Sequence, residues 1–354
     1  MSIQHITKVR IAGISAAVPQ NVSETIDSPA FPNREECERY MENVGVERVR
    51  RHPNGVVCSD LCLRAAEELV EALGWERNEI DLLVYVSQSQ DYVLPATACV
   101  LHGKLGLAQS CSCFDVSLGC SGWAYGLSIV AGMMQSGAFR KALLLAGDVS
   151  PLPIKRPSPR ASKPLFGDAG TATCLVYDEQ AAEMVIDNRT DGTGYEAIIK
   201  RGGACRHPFD EHSLERFEDQ FGNVHRIIDT EMDGAAVFTF GITKVPRAIK
   251  DMLRLTEKTV EDVDYFLFHQ ANLMMNEQIR KKCKIPVEKC PYSIRDFGNN
   301  SSASIPLTMV TELRETLSEG THEIVACGFG VGLSWSTLYT TLQAPVVLPL
   351  IEIS

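Results

Sequence analysis

Cys120 stands in a pattern that favours nucleophilic chemistry. A short β-type run, residues 114–117, reaches a turn of small residues, and a helix rich in glycine, alanine, serine and leucine follows. This pattern places the cysteine at a helix N-terminus, where unpaired backbone N–H groups and the helix dipole favour an anion. We therefore expect a lowered thiol pKa and a reactive thiolate. The same pattern also suits a cysteine that is merely buried at a tight strand–helix junction.

His269 and Asn299 lie in two further patterns of interest. The hydrophobic run over residues 265–268 leads straight into His269, so the histidine lies at the C-terminal end of a predicted strand. Open α/β sheets place their ligand sites at such strand ends. Asn299 follows Gly298 in a turn that leads into a helix start of small residues. A hydrogen-bonded core histidine and a plain helix cap are the ordinary alternatives, so each segment alone is weak evidence.

The elements that position these residues alternate between strand and helix patterns, which indicates an α/β fold. The predicted strands are short, apolar and rich in β-branched residues. They cover residues 81–86, 142–146, 172–177, 265–268 and 324–327. Helical periodicity covers residues 60–73, 122–134, 245–255 and 271–282.

The two halves of the chain resemble each other. A helix end, an acidic turn, a β-branched residue and an aspartate precede a short apolar strand both at Asp81 and at Asp264. Such a repeat indicates an internal duplication. We predict an N-terminal half over residues 1–178, which carries the nucleophile, and a C-terminal half over residues 179–354, which carries the histidine and asparagine.

Two polar segments are predicted to lie outside this core. Residues 150–163 are rich in Pro, Ser, Arg and Lys and are predicted to form a loop. Residues 201–228 are polar, contain Gly202-Gly203 and carry three histidines. We interpret them as an insertion or a lid beside a site.

Composition excludes several classes of protein. The net charge of -11 argues against a nucleic-acid or anionic-membrane partner for the surface as a whole. No signal peptide and no apolar run of about 18 residues is present, so we expect a cytoplasmic chain. The twelve cysteines are scattered and do not form a disulfide framework. Only Cys111 and Cys113 are close together, without a second pair, and we expect no metal site.

Five motifs resemble those of the ketoacyl-ACP synthase III branch of the thiolase superfamily, and the resemblance spans nearly the whole chain. The motifs are Cys120-Ser121-Gly122, Phe166-Gly167-Asp168-Ala169-Gly170, His269-Gln270-Ala271-Asn272, Gly298-Asn299 with Ser301, and Gly328-Phe329-Gly330-Val331-Gly332-Leu333-Ser334-Trp335. One motif is weak evidence, whereas five in the family's order and spacing are strong. The resemblance implies a thiolase-like fold of two duplicated α/β halves in a five-layered α-β-α-β-α core. It also implies a homodimer and no cofactor.

The resemblance assigns chemical roles to individual residues. It implies that Cys120 carries an acyl group, while His269 and Asn299 donate hydrogen bonds to the enolate that forms as malonyl loses carbon dioxide. The backbone N–H groups of Cys120 and Val331 form a second oxyanion site in this scheme. The implied activity is the decarboxylating Claisen condensation of an acyl-CoA or acyl-ACP with malonyl-ACP. The implied pathway is fatty-acid or polyketide-like secondary-metabolite biosynthesis.

Substrate and partner residues follow from the same resemblance. Asn272 and Gly234 are implied to contact the pantetheine arm, and Leu94 matches a position that closes the acyl pocket of the dimer partner. In the family, an acyl carrier protein docks on basic residues near the entrance. The alternative for a basic strip is a solvated helix end, where cations suit the helix dipole. The candidate docking residues are Arg280, Lys281, Lys282 and Lys284.

Several positions depart from the family members that prime with acetyl-CoA. Arg39 and Asn43 match the places of a Trp and an Arg that grip the CoA adenine, Met274 stands where Arg is frequent, and Leu94 where Phe is frequent. We therefore expect a primer larger than acetyl, and CoA priming is in question. The alternative functions are a non-decarboxylating acyltransferase of the same fold and an inactive partner subunit. Asn299 argues against the first, because simple transfer needs no enolate donor, and the complete catalytic set argues against the second.

Overall fold

Strands and helices alternate along the chain, as the sequence predicts. The computed structural model describes residues 3–53, 55–150, 164–218 and 224–354. The strands found there are β1 (Ile3–Ile6), β2 (Val9–Pro19), β3 (Val22–Glu24), β4 (Arg48–Arg50), β5 (Leu82–Val86), β6 (Ser112–Val116), β7 (Lys141–Asp148), β8 (Ala169–Tyr177), β9 (Met184–Thr190), β10 (Ile198–Ile199), β11 (Phe217–Glu218), β12 (Val224–His225), β13 (Glu231–Met232), β14 (Tyr265–Phe268), β15 (Thr321–Gly330), β16 (Ser334–Gln343), β17 (Val346–Val347) and β18 (Ile351–Ile353). The α-helices are α1 (Arg34–Val44), α2 (Cys58–Ala72), α3 (Thr97–Leu105), α4 (Gly122–Met134), α5 (Gly234–Leu255), α6 (Leu273–Lys282), α7 (Ile294–Phe297), α8 (Ser304–Glu312) and α9 (Arg314–Leu317).

Two sheets form the centre of the fold, and they repeat one strand order. The first runs β17-β2-β8-β7-β5-β6, with β18 also paired to β2, and the second runs β1-β9-β16-β15-β14. The order β2-β8-β7-β5 of the first sheet returns as β9-β16-β15-β14 in the second. In each case the first two pairings are antiparallel and the third is parallel. This repetition confirms the duplicated α/β halves.

The helices complete five layers around these sheets. Helices α2 and α3 cover the outer face of the first sheet, α4 and α8 lie between the sheets, and α5 and α6 cover the outer face of the second. Side chains of a strand alternate between the two faces of its sheet. Leu82 and Val84 of β5 therefore pack in the central layer, whereas Leu83 and Tyr85 pack against the outer helices. Because both faces are buried, these strands are nearly continuous apolar runs, which is why the sequence predicts them well.

Most predicted elements agree with the structure to within a few residues, and α4 and β14 agree at both ends. Helix α5 is the exception, because it starts at Gly234 and not near the predicted residue 245. Asp233 caps it by accepting a hydrogen bond from the Ala236 N–H at 2.9 Å. The first half of α5 is rich in valine, phenylalanine and threonine, which have low helix propensity, so its periodicity starts late in the sequence.

The terminal strands cross between the two sheets. Strand β1 pairs with β9 of the second sheet, while β17 and β18 pair with β2 of the first. The division of the chain at residues 178 and 179 therefore remains a prediction.

The predicted insertion at residues 201–228 lies outside the two main sheets where it is described. Strands β11 and β12 pair with each other in a two-stranded sheet. The predicted loop at residues 150–163 lies outside the described residues except for Ser150. None of the helices in the described part of the chain combines the length and apolarity that a bilayer crossing requires.

Candidate active site

Cys120 lies in the turn between β6 and α4, at the start of a helix of the central layer. Gly122 is the first residue of this helix, as the sequence predicts, and Ser121 occupies the N-cap position without a side-chain capping bond. The Gly122 N–H closes the turn by donating to the carbonyl of Gly119 at 2.6 Å. The Ser121 hydroxyl lies 2.7 Å from the hydroxyl of Ser334, which ties the turn to β16 of the other sheet. The cysteine is therefore presented at the contact between the two halves.

The sulfur of Cys120 faces the turn that follows β15. Its own backbone N–H and that of Val331 both act to lower the pKa of the thiol. A Cβ on Gly330 would stand 2.6 Å from the Cβ of Cys120, so only glycine allows this close approach. The assignment of the Cys120 and Val331 N–H groups to an oxyanion site remains a prediction.

The expected low pKa of this thiol is wrong for the resting structure. Cys120 keeps part of its surface accessible, but burial raises the pKa of its thiol to about 11. The Val331 N–H and the Ser301 hydroxyl lower this pKa, while the charge of Asp148 raises it further. The helix N-terminus does not outweigh the loss of hydration. At neutral pH Cys120 is a thiol that must lose its proton before it can attack.

His269 follows the last residue of β14, as predicted, and only 1% of its surface is exposed. Its ring meets Phe329 edge to face, with centroids 5.5 Å apart. Burial lowers the pKa of His269 to about 3, so the imidazole is neutral at neutral pH. The ring atom Nδ1 lies 2.8 Å from the Ser304 hydroxyl oxygen, and that oxygen lies 2.9 Å from the carbonyl of Ser301.

The orientation of the Ser304 hydroxyl and the tautomer of His269 are linked. A hydroxyl has a single proton to donate. If that proton goes to the Ser301 carbonyl, Nδ1 must be the protonated ring nitrogen. If it goes to Nδ1, the other nitrogen, Nε2, carries the ring proton. Donation from Nε2 to a substrate therefore requires the second orientation.

Asn299 lies in the turn between α7 and α8 and is 5% exposed. Its backbone N–H donates to the carbonyl of Leu165 at 2.8 Å, and its carbonyl accepts from the Gly167 N–H at 3.0 Å. The side-chain oxygen Oδ1 accepts from the Ser301 N–H at 2.9 Å, which leaves Nδ2 as the donor end. Nδ2 also lies 3.4 Å from the carbonyl of Ala271. The amide is therefore oriented to donate.

Ser301 lies between Asn299 and His269. Its N–H donates to Oδ1 of Asn299, and its carbonyl lies 2.9 Å from the Ser304 hydroxyl that contacts Nδ1 of His269. Its φ of +49° is left-handed, which is uncommon for residues other than glycine. In the sequence Ser301 stands out only as part of a motif, because neither its backbone conformation nor its distant partners are visible there.

Asp148 is a second residue that the sequence analysis missed. It ends β7, and its Oδ1 accepts from the Ser87 hydroxyl at 3.1 Å, the Gln88 N–H at 2.7 Å and the Ser89 hydroxyl at 3.2 Å. Its Oδ2 accepts from the hydroxyl of Ser302 at 3.1 Å and from the N–H of the same residue at 3.4 Å. Its position at the end of an apolar strand, like that of His269, is the signal that could have revealed it.

The residues predicted to contact pantetheine lie at helix starts. Asn272 caps α6, and its side-chain oxygen accepts from the Met275 N–H at 2.8 Å. Gly234 is the exposed first residue of α5, and a Cβ there would meet nothing within 4 Å. There is open space beside Gly234, whereas the side-chain oxygen of Asn272 already accepts a hydrogen bond within the chain. Contact of these two residues with pantetheine remains a prediction.

Leu94 lies on an apolar tip that projects from the body of the protein. Tyr92, Val93 and Leu94 are 59%, 94% and 84% exposed. Large apolar side chains in such a group mark an interaction site more often than an ordinary surface. The role of Leu94 toward a partner subunit remains a prediction.

The four predicted docking residues differ in how exposed their charged groups are and in whether those groups already have partners. Arg280 is only 15% exposed because it forms a two-pronged ion pair with Glu277, with both distances 2.7 Å. Lys281 is 63% exposed, and Lys282 is exposed but donates to a backbone carbonyl of α5 at 2.9 Å. Lys284 is also exposed. The three lysines therefore remain the stronger candidates.

The cysteines other than Cys120 show no arrangement for metal binding. All twelve are free thiols. Cys113 points to Cys99, with the two sulfurs 3.8 Å apart, whereas the Cys111 sulfur contacts a backbone carbonyl. Across the described ranges, no three His, Cys, Asp or Glu side chains are grouped so as to hold a metal ion.

Comparison with known proteins gives the family. Residues 114–194 match the family described as 3-oxoacyl-[acyl-carrier-protein (ACP)] synthase III, and residues 253–342 match the C-terminal part of the same family. A putative 3-oxoacyl-[acyl-carrier-protein] synthase 3 of Campylobacter jejuni is 31% identical over 340 residues, which cover 93% of each chain. A β-ketoacyl-[acyl-carrier-protein] synthase III of Streptococcus mutans is 31% identical over 82% of this chain and 86% of its own.

The solved structures agree with this assignment. The crystal structure of a 3-oxoacyl-(acyl-carrier protein) synthase from Burkholderia xenovorans LB400 has a TM-score of 0.91 at 34% identity and covers 99% of both chains. The fold is therefore thiolase-like, as predicted. The chain belongs to the 3-oxoacyl-[acyl-carrier-protein] synthase III family of acyl-transferring condensing enzymes.

Proposed function

We propose that this protein condenses an acyl thioester with malonyl-ACP through an acyl group carried on Cys120. The observation that supports this most is that one turn, residues 299–304, orients both donors and packs against the helix that follows Cys120. Its Ser301 N–H binds Asn299, and its Ser304 hydroxyl lies 2.8 Å from His269. The site thus contains one nucleophile and two neutral donors. This set matches the needs of a reaction that first forms a thioester and then an enolate.

In the first half-reaction, Cys120 attacks the acyl carbonyl carbon. The new carbon–sulfur bond forms while the carbonyl oxygen gains negative charge, and the N–H groups of Cys120 and Val331 are the proposed donors to it. Collapse of this intermediate expels the thiolate of the donor, which takes up a proton. The product is acyl-Cys120 and a free donor thiol.

In the second half-reaction, malonyl-ACP loses carbon dioxide and becomes an enolate. The thioester oxygen of malonyl then carries negative charge, and Nδ2 of Asn299 and Nε2 of His269 are the proposed donors to it. His269 is suited to this because it is neutral and so does not hold the malonyl carboxylate as an ion pair. The enolate carbon attacks acyl-Cys120 and releases the Cys120 thiolate with a β-ketoacyl-ACP.

Two measurements test the proposal. Peptide mapping by mass spectrometry after incubation with acyl thioesters should place the acyl adduct on Cys120. The enzyme should also release labelled carbon dioxide from malonyl-ACP in the presence of the acyl donor. Acylation without carbon dioxide release would favour the non-decarboxylating acyltransferase, and neither activity would favour an inactive partner subunit. Full activity of Cys120→Ser with an adduct elsewhere would overturn the mechanism.

We propose a primer larger than acetyl, delivered on CoA or on a carrier protein. Arg39 forms an exposed ion pair with Glu35 at 3.0 Å, and Asn43, which carries no charge, donates to the carbonyl of Arg39 at 2.8 Å. Met274 is 43% exposed and offers no charge. Arginine binds phosphate through two charged hydrogen bonds, each contributing about 1.5–3 kcal/mol. Competition among acetyl-CoA, longer acyl-CoAs and acyl-ACPs, measured as kcat/KM, tests this, and acetyl-CoA as the best primer would contradict it.

We also propose that the protein works as a homodimer. The tip formed by Tyr92, Val93 and Leu94 is the supporting feature, since a face this apolar is costly in water. In this arrangement Leu94 closes the acyl pocket of the partner subunit. Sedimentation equilibrium should give twice the chain mass, and Val93→Glu should shift the protein toward monomer. A wild-type monomer at micromolar concentration would exclude it.

A further inference from the structure

The Asp148 carboxylate has no task in the mechanism above, although it joins two parts of the site. It lies at the end of β7, between the segment that follows β5 and the turn that carries Asn299. The hydroxyl groups of Ser87 and Ser89 and the N–H of Gln88 lie within 3.2 Å of its Oδ1. A carboxylate with donors on both oxygens cannot turn without breaking several hydrogen bonds, so it holds the two segments together.

The segment after β5 supports the turn that carries the nucleophile. The Gln88 N–H donates to Oδ1 of Asp148 at 2.7 Å. The side-chain amide of Gln88 fills the space beside Gly119, because a Cβ on Gly119 would lie 2.4 Å from the amide oxygen. Gly119 directly precedes Cys120. One oxygen of the carboxylate therefore fixes the segment against which the Cys120 turn packs.

The other oxygen of this carboxylate holds the turn that carries Asn299. It accepts from the Ser302 hydroxyl at 3.1 Å and from the Ser302 N–H at 3.4 Å. Just before Ser302, the Ser301 N–H binds Oδ1 of Asn299. Just after it, the Ser304 hydroxyl lies 2.8 Å from Nδ1 of His269. Ser302 thus lies between the groups that orient the two proposed donors.

Ser302 also packs against the start of α4. Its Cβ lies 3.2 Å from the position that a Cβ on Gly122 would occupy. Gly122 is the first residue of α4 and stands two positions after Cys120. Glycine leaves room there for the close approach of the two turns. Because the turns are this close, a shift of Ser302 moves the donors relative to the nucleophile.

We propose that Asp148 is a positioning residue for the condensation step and acts through Ser302. It sets where Asn299 and His269 lie relative to the acyl group on Cys120. The inference rests on the proposed function, because the two donors serve the malonyl enolate. Asp148 itself does not touch the reacting atoms and transfers no proton. Oxyanion donors act only from the geometry of the transition state, and a misplacement of about 1 Å can cost about 100-fold in rate.

Asp148→Asn should release one segment and keep the other. An amide of the same shape has one oxygen and one NH2 group. The Gln88 N–H needs an acceptor, so the amide oxygen should stay on that side. The NH2 group then faces the Ser302 N–H, and two donors cannot bind each other. We expect the kcat of condensation to fall at least about tenfold, with KM for malonyl-ACP within about twofold of wild type.

Acyl loading should survive the same substitution. Burial and, as a smaller effect, the charge of Asp148 raise the pKa of the Cys120 thiol. Removal of that charge makes the thiolate easier to form, so loading of Cys120 should not fall. A general loss of structure would impair both half-reactions, whereas a misplaced donor turn impairs condensation alone.

Two serines that donate to this carboxylate separate positioning from stability. Ser87 and Ser302 are each 2% exposed, and the hydroxyl of each lies 3.1 Å from an oxygen of Asp148. Alanine at either position removes one buried hydroxyl, so the melting temperatures of the two variants should fall alike. Ser302→Ala should lower the kcat of condensation about fivefold, because it loosens the turn that carries Asn299. Ser87→Ala changes only the other segment and should stay within about twofold of wild type.

Condensation is followed by release of labelled carbon dioxide from malonyl-ACP, and acyl loading by mass spectrometry. The acyl donor is the best one for the wild type among acetyl-, octanoyl- and decanoyl-CoA. Equal kcat in Ser302→Ala and Ser87→Ala would overturn the proposal, and so would a loss of loading as large as the loss of condensation. If Asp148→Asn does not fold, the two serine variants decide. A wild-type protein that releases no carbon dioxide overturns the proposed condensation and this inference together, whereas equal serine variants of an active enzyme overturn this inference alone.

Discussion

Cys120 and Asn299 precede the two helices of the central layer, one from each half of the molecule, yet they are held by different means. Around Cys120 the contacts are close and made by backbone, with Gly330 packed against the Cβ and the sulfur of Cys120. Around Asn299 the contacts are hydrogen bonds to named polar groups, above all the Ser301 N–H. The position of Cys120 therefore depends on close packing, whereas the turn that carries Asn299 (the donor turn, residues 298–304) is held by hydrogen bonds between polar groups. Added volume beside Cys120 should mainly impair acyl loading, and loss of a donor should mainly impair condensation.

The largest effect should come from removing the donors. We expect Asn299→Ala and His269→Ala to lower condensation by about 100- to 1000-fold, since each removes a hydrogen bond to the enolate. Acyl loading should fall much less, because it depends on the thiol and its own N–H partners. Loading is followed by mass spectrometry, and condensation by carbon dioxide release from malonyl-ACP. Equal loss of both half-reactions in both variants would refute this division.

Added volume on the nucleophile side should affect loading first. In Gly330→Ala the new methyl group would lie 2.6 Å from Cys120 Cβ and 2.8 Å from its sulfur, so the thiol must move. A displacement of about 1 Å can cost about 100-fold in rate, and we expect a loss of this size in acyl loading. Gly132→Ala in α4 is the matched control, because its methyl group would meet its nearest neighbour only at 3.6 Å. Equal rates of acyl loading in the two variants would mean that Cys120 does not depend on close packing against Gly330.

Burial of the neutral His269 ring should also make the free energy of unfolding depend on pH. The pKa of His269 is about 3 in the folded protein and near 6.5 when the chain is unfolded. Between these values the unfolded state binds a proton that the folded state does not, so acid favours unfolding. This stabilisation is complete above pH 6.5 and is lost as the pH falls toward 3. From pH 7 to pH 5, His269 alone should remove about 2 kcal/mol from the free energy of unfolding.

Urea unfolding at both pH values measures this loss. His269→Gln should remove that part of the pH dependence. His212→Gln changes an exposed histidine that is paired with Glu215 at 2.7 Å, and it should keep the steep loss of the wild type. The same loss in wild type and His269→Gln would mean that the ring of His269 is hydrated and easily protonated.

The difference between the Cys120 turn and the turn that carries Asn299 also bears on what can be predicted from the sequence. Strands buried on both faces are continuous apolar runs, and the Cys120 turn has a local pattern of small residues, so both are visible in the sequence. The fold and the positions of Cys120, His269 and Asn299 at element ends follow from such local signals. The pKa of Cys120 does not, because burial is a property of the assembled site and outweighs the helix end.

The donor turn is the part that depends most on long-range contacts. Asp148 and Ser302 are 154 positions apart, and nothing near either residue indicates that they meet. The left-handed Ser301 is also set by its surroundings, since serine has no preference for that conformation. By contrast, the ion pair of Arg280 with Glu277 has the spacing of a helical neighbour and is a signal the sequence does contain.

The smallest effect should come from exposed lysines, which take part neither in the close packing at Cys120 nor in the hydrogen bonds of the turn that carries Asn299. We expect Lys281→Glu with Lys282→Glu to lower kcat/KM for malonyl-ACP by about tenfold at low salt, because steering toward an acidic partner is lost. Wild-type kcat/KM should fall as salt screens this attraction, and the double variant should be nearly insensitive to salt. Stability should change little, since Lys281 is 63% exposed and surface charges contribute weakly. The control makes the same change in net charge elsewhere, with Lys8→Glu and Arg314→Glu. If the control loses as much activity as the double variant, net charge and not a docking surface governs the encounter.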